Sequence, residues 1–170
     1  MNTLILSSSL SENSKSFLLC QEVSKLLTKK KDNITFVDAR NIPMQPIHRE
    51  LTTEMKNLVI QVERADNIII GMGVHCYSIN DSLKILLDSC FWNATGKFFG
   101  ILCAGGGERS YLSTMHLTQI CMNEWRMIQL PRIVYATKKD FKENIITSDD
   151  LLERIRLFAN EFHNIGKKLS

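Results

Sequence analysis

Five short apolar runs, separated by segments whose hydrophobic residues return at a helical period, restrict the folds open to this chain more than any other property. The runs are Thr3–Leu6, Asn33–Val37, Asn67–Gly71, Phe98–Cys103 and a stretch from Ile128 to Ala136 that Pro131 interrupts. The third, NIIIG, sets three isoleucines in a row. Such a run suits a strand covered on both faces, where neither side meets water and alternation is lost. Between the runs, Leu19, Val23, Leu26 and Leu27 predict a helix over Ser16 to Lys30, and Leu51, Met55, Leu58 and Val62 predict a second. Leu83, Leu86, Leu87, Cys90 and Phe91 form the apolar stripe of a third. A fourth is expected over Tyr111 to Met122. The last carries Leu151, Ile155, Phe158, Phe162, Ile165 and Leu169, led in by Ser148 as cap and Asp149 and Asp150 as an acidic first turn. Pro43 and Pro46 keep the loop after Asp38 out of the sheet. This alternation predicts an α/β fold with a parallel sheet wound on both faces. No repeat or linker divides the 170 residues, so one domain is expected over 1–170.

Composition excludes several classes of function. The net charge of +3 is scattered, with short runs only at Lys29-Lys30-Lys31 and Lys167-Lys168, whereas nucleic-acid binding needs a contiguous basic stripe. No apolar run approaches the roughly 20 residues that cross a membrane. No basic region followed by a long apolar core marks a secretory leader. Five cysteines, Cys20, Cys76, Cys90, Cys103 and Cys121, lie far apart without a CxxC pair, which predicts reduced thiols in a cytoplasmic protein and no metal centre. Four should pack as small apolar residues; Cys76 falls in a loop.

In a doubly wound sheet, ligands bind beyond the carboxyl ends of the strands, where strand order reverses. Three loops meet there. Ser7 to Ser14 is serine-rich and leads into a helix, an arrangement in which backbone N–H groups converge on an anion. Ser7, Ser9, Ser11, Ser14 and Ser16 can add donors and Lys15 a charge, making a phosphate cradle; the other reading of the same residues is a cap and turn cluster. Met72 to Asn80 offers Gly73, Val74, His75, Cys76 and Tyr77 to a planar ring. Ala104, Gly105, Gly106 and Gly107 supply backbone without side-chain obstruction. There is no GxxxxGK[ST], no third glycine after Gly71-Met72-Gly73, and no acidic cluster of a phosphoacceptor domain. FMN is the ligand that combines one phosphate with a ring at this switch point.

The chain resembles the NAD(P)H-dependent FMN reductase family, a branch of the flavodoxin-like fold, over nearly its full length. Ser8 to Ser16 is similar to the opening GSLRxxSxN, and Asp38 to Pro46 to the D-L-x-x-x-P-L-P after strand two. Gly73 to Asp88 resembles PEYNxSxPxxLKNxxD without a gap, matching at Ser78, Leu83, Lys84 and Asp88. Ala104 to Gly107 fits the family's glycine-rich turn, and Phe141 to Thr147 is similar to FDxxGxxT. Two departures concern the flavin. Ser8 and Ser11 replace a glycine and an arginine, leaving Lys15 as a point charge for the phosphate. Gly73-Val74-His75-Cys76 replaces Pro-Glu-Tyr-Asn and removes the phenol and amide that line the family's flavin, leaving His75 either against the ring or as a loop histidine satisfied by backbone.

The resemblance implies five parallel strands in the order 2-1-3-4-5. It also implies hydride passing from NADPH or NADH through FMN to a small-molecule electron acceptor such as free flavin or a quinone, in a homodimer or homotetramer. FMN carries that chemistry, so no catalytic side chain is assigned. The alternative is a non-catalytic flavodoxin-like module that binds a nucleotide or a partner. A one-electron carrier would be strongly acidic, unlike this chain. Arg109, after the glycines, reads as solvated rather than as a contact to a nicotinamide-nucleotide phosphate, Lys84 with Asp88 as structural, and Trp92, Tyr111 and Trp125 as core or interface aromatics.

Overall fold

The structure, a computed structural model, describes residues 1–170. In chain order the elements are β1 (Asn2–Ser7), α1 (Lys15–Lys29), β2 (Asn33–Asp38), α2 (Thr53–Arg64), β3 (Asn67–His75), β4 (Ser78–Ile79) and α3 (Asp81–Cys90). There follow β5 (Phe98–Ala104), α4 (Thr114–Trp125), β6 (Ile128–Gln129), β7 (Val134–Ala136), β8 (Phe141–Lys142), β9 (Ile145–Ile146) and α5 (Asp149–Leu169).

The main sheet runs β2-β1-β3-β5-β6, with β7 also on β5 and β4 on β3. This is the flavodoxin-like order 2-1-3-4-5 with the last strand divided. The expected five parallel strands are corrected to seven, for two physical reasons. Pro131 has no N–H to give a ladder, so the chain leaves β5 after Ile128–Gln129 pair with Phe98–Phe99 and returns where Val134–Ala136 pair with Leu102–Ala104. The sheet is also not wholly parallel, because β3 runs on past Gly71 to His75 and folds back antiparallel onto β4. The fourth helix differs from expectation too. Glu108–Ser113 is a 3-10 segment, and the α-helix begins at Thr114.

Residues alternate across the sheet between two cores. Leu4, Leu6, Ile68, Ile70, Phe99 and Ile101 pack under α2, α3 and α4, joined by Met55, Leu58, Leu86, Leu87 and Leu117. Ile5, Ile69, Phe98 and Leu102 face α1 and α5 and meet Leu19, Val23, Leu27, Ile155, Phe158 and Phe162. Serine and threonine hydroxyls cap three helices by accepting N–H bonds: Ser14 from Phe17, Thr52 from Met55 and Ser148 from Leu151. Each cap contributes about 1 kcal/mol. No helix is long and apolar enough to cross a membrane. Trp125 is buried, whereas Trp92 and Tyr111 are exposed.

Cys20, Cys90, Cys103 and Cys121 are buried and Cys76 is exposed. Burial pushes the thiols of Cys90, Cys103 and Cys121 up to about 12, and that of Cys20 higher still. An aromatic disulfide reagent is therefore expected to titrate one of the five thiols promptly in the native protein and the other four only on unfolding. A second fast thiol would show that a helix lifts from the sheet under native conditions.

Candidate functional site

The ladder brings the three loops together: Ser7 lies opposite Gly71, and Gly73 opposite Ala104. Asn80 fastens two of them. It is 1% exposed, and its Oδ1 accepts from the Gly73 N–H at 3.2 Å and lies 3.0 Å from Ser8 Oγ. Its Nδ2 donates to Ser8 O at 3.0 Å and to Ser82 Oγ at 2.7 Å. Ser82 Oγ in turn donates to Ser8 O at 2.6 Å, and Ser8 N–H to Gly71 O at 2.9 Å. Sequence reasoning missed Asn80. It stands where the resembling signature carries its proline, as N-cap of α3, but its side chain makes no capping bond and turns inward.

Along the first loop, Ser9 Oγ accepts from the Ser11 N–H at 3.3 Å, and Ser14 N–H donates to Ser11 O at 3.2 Å. Ser14 and Ser16 are buried and share a hydroxyl–hydroxyl bond of 3.1 Å. The first-turn amides of Lys15 and Ser16 have no acceptor in the chain, as an α-helix start leaves them. Ser7 is fully buried and its Oγ has no partner. A buried hydroxyl without a partner is rare enough in a native fold to need an explanation.

Two cations approach this loop. Lys15 Nζ donates to Glu143 O and to Asn144 Oδ1 and lies 5.4 Å over the Phe141 ring. Asn144 Nδ2 reaches Asn13 Oδ1 at 3.1 Å, so the β8–β9 hairpin is strapped to the loop. The Lys15 ammonium is thus engaged by the hairpin. Arg40, missed in the sequence because it follows β2, stacks 4.2 Å over Phe17 and places Nη1 3.4 Å from Glu12 O. Its guanidinium is held by Asp38, with Nη2 2.6 Å from Oδ2, which raises its pKa further.

In the second loop, pairing of His75 with Ser78 leaves Cys76 and Tyr77 as a two-residue turn. Both have positive φ, 47° and 62°, a conformation that such turns usually give to Asn-Gly. Held by residues with full side chains, it stores about 1 kcal/mol or more at each. Tyr77 Oη anchors the turn by donating to Arg109 O at 2.6 Å, which ties it to the third loop. His75 and Cys76 are exposed, with His75 Nδ1 3.6 Å from Asp81 Oδ1. Val74 is half-buried.

The third loop hangs from β7, where Gly105 N–H donates to Ala136 O at 2.9 Å. A Cβ on Gly105 would lie 2.1 Å from Tyr135 Oη, which donates to Gly107 O at 2.6 Å. Close approach of that phenol explains the glycine. A Cβ on Gly73, Gly106 or Gly107 would meet nothing within 4 Å, so these three border open space. The site therefore pairs unfilled helix-start amides and an unpartnered hydroxyl with an open backbone edge. This donor set fits a phosphate joined to a flat ring. A cavity of about 640 Å³ lies elsewhere, between α3 and α4 beside Trp92 and Trp125.

Strand order and loop cluster define a flavodoxin-like protein. Residues 1–142 match the family described as NADPH-dependent FMN reductase, and the chain belongs to that family. A Pseudomonas fluorescens protein named NADH-dependent FMN reductase SfnF is 36% identical over 112 residues, covering 65% of this chain and 60% of the relative. A Pseudomonas aeruginosa FMN reductase (NADPH) is 34% identical over 107 residues, covering 62% and 58%. The chain thus spans less than two thirds of the length of either curated relative. An oxidoreductase from Corynebacterium diphtheriae has a TM-score of 0.82 over 99% of this chain and 98% of its own, at 18% identity, a likeness of fold alone.

Proposed function

We propose that this loop cluster binds FMN and that the protein is an NAD(P)H oxidoreductase delivering reducing equivalents to a small acceptor such as free flavin or a quinone. The observation that carries the reading is the unfilled pair of amides at Lys15 and Ser16 beside three glycines that face open space. The phosphate would be held by those amides, by the Ser9 and Ser11 hydroxyls, and by the field of Lys15 and of the helix start. Ser14 and Ser16, buried and hydrogen-bonded to each other, support that loop from beneath, and the unpartnered Ser7 hydroxyl would add a donor. Gly73, Val74, His75, Cys76 and Tyr77 would border one edge of the ring, and Ala104 to Gly107 the other. FMN, when bound, supplies the hydride-accepting centre. The chain's own work is to hold and orient it, and no side chain in the cluster is required as acid or base. Exposed Trp92, Leu112, Met115 and Met122 on or beside α3 and α4 support a homodimer or homotetramer. Four buried reduced thiols suit a cytoplasmic location.

Riboflavin has the ring without the phosphate, so flavin-fluorescence titration tests the first loop. Charge-assisted hydrogen bonds contribute about 1.5–3 kcal/mol each, so FMN is expected to bind at least roughly tenfold more tightly than riboflavin. Because Lys15 acts on the phosphate through its field, Lys15→Ala is expected to weaken FMN by roughly two- to fivefold and to leave riboflavin nearly unchanged. Equal losses for both flavins would assign Lys15 to fastening the hairpin alone. The replaced second loop favours one other reading, a binding module without turnover. Anaerobic NADPH or NADH should bleach bound FMN; flavin that stays oxidised with both nucleotides would favour the module.

A further inference from the structure

A second recess opens directly beside the glycine edge, between the third loop and the segment after β7. It is a cavity of about 360 Å³ with no hydrophobic residue in its lining. Three cations line it, Arg109, Lys138 and Lys139, against one carboxylate, Glu108. Lys139 Nζ lies 2.9 Å from Glu108 Oε1, both well exposed; the ammonium holds that carboxyl below its usual range. Arg109 and Lys138 have no ion-pair partner. Asp140, next to Lys139 in the chain, is committed elsewhere. Its Oδ2 accepts from Thr137 N–H at 2.7 Å, and its Oδ1 lies 3.8 Å from Arg154. The N–H groups of Gly106 and Gly107, which line the same recess, make no bond within the chain. Two uncommitted cations and two free amides therefore surround a polar volume that shares its glycines with the proposed ring site.

We infer that this recess receives the phosphates of the nicotinamide nucleotide, an inference that rests on the FMN reading above. A dinucleotide whose nicotinamide ring lies over the glycine edge must lead its anionic part away from that edge. The recess is the adjoining cationic cavity. The charge recognised belongs either to the 2′-phosphate, which separates NADPH from NADH, or to the pyrophosphate common to both. Either would be bound by the fork of Arg109 and the point charge of Lys138.

The test uses Arg109→Ala, Lys138→Ala and the double variant, each first checked for FMN affinity and melting temperature like those of the parent. Both side chains are exposed, so folding should be untouched. In the double variant of the FMN-loaded protein, KM for NADPH is expected to rise roughly tenfold or more, with the change in KM rather than kcat, and Lys138→Arg should retain the parent value. In parallel, 2′,5′-ADP and ADP are titrated calorimetrically into flavin-free protein. Losses confined to NADPH and 2′,5′-ADP identify the 2′-phosphate; equal losses for NADH and ADP identify the pyrophosphate. Unchanged KM and unchanged probe affinity in the double variant, with FMN bound normally, would overturn the inference and leave the FMN reading standing. Failure of FMN to bind the parent would remove that reading, while the 2′,5′-ADP titration would still report on the recess.

Discussion

Replacing Asn80 by alanine is expected to lower the free energy of unfolding by about 2–3 kcal/mol and to weaken FMN binding with it. The cost can be followed atom by atom. Ser8 Oγ keeps Gly71 O, and Ser8 O keeps the Ser82 hydroxyl. The Gly73 N–H, however, loses its acceptor, and a space the size of an amide opens under two loops. Asn80→Asp should be no milder, because a carboxylate can accept from Gly73 but cannot donate to Ser8 O or Ser82 Oγ. Urea denaturation checks this through a lower midpoint at unchanged slope. Parental stability in Asn80→Ala would mean that water completes the network, and Asn80 would lose its role as a clamp. The flavin effect has its own cause. Asn80 joins the first loop, the proposed phosphate site, to Gly73, a proposed ring contact, so their spacing depends on it.

Gly71→Ala is expected to destabilise the protein by about 1–3 kcal/mol, and removal of one sulfur should restore much of that loss. A Cβ at Gly71 would lie 2.2 Å from Cys20 Sγ, while Leu6 O and Ser16 O stand at an ordinary 3.5 Å. The strain therefore falls on a single side chain from α1. Cys20→Ala alone leaves a small cavity, but combined with Gly71→Ala it removes the colliding atom. A double-mutant cycle should give a favourable coupling of about 1 kcal/mol or more. Additive losses would instead show that α1 moves bodily off the sheet. FMN affinity distinguishes the cases, because α1 carries the Lys15 and Ser16 amides, and a shifted helix would weaken FMN in the double variant as well.

Local periodicity carried much of the architecture. The uninterrupted Ile68–Ile70 run marked a strand buried on both faces, and the structure divides its residues between the two cores. The helix from Leu83 to Phe91 was legible from spacing alone, as were the serine cap and acidic start of α5. Side-chain period and capping chemistry act over a few residues, so a sequence displays them directly. Motif spacing likewise pointed to three loops at the carboxyl ends of β1, β3 and β5. What joins those loops acts over long separations. Nothing near Asn80 announces that its side chain turns inward to Ser8. The Cys76–Tyr77 turn lacks the glycine that marks such turns, because Tyr77 is anchored to Arg109 on another loop. Arg40 reaches the first loop from beyond β2, and Lys15 is engaged by a hairpin 128 residues away. Lys138 and Lys139 join Arg109 only because β7 pairs beside β5. The sequence by itself determined the main strand–helix alternation, but not β4, the divided last strand, the β8–β9 hairpin or the start of α4. Strand order and crossovers decided which polar groups meet at the carboxyl edge, because those contacts exist only once distant segments are hydrogen-bonded side by side.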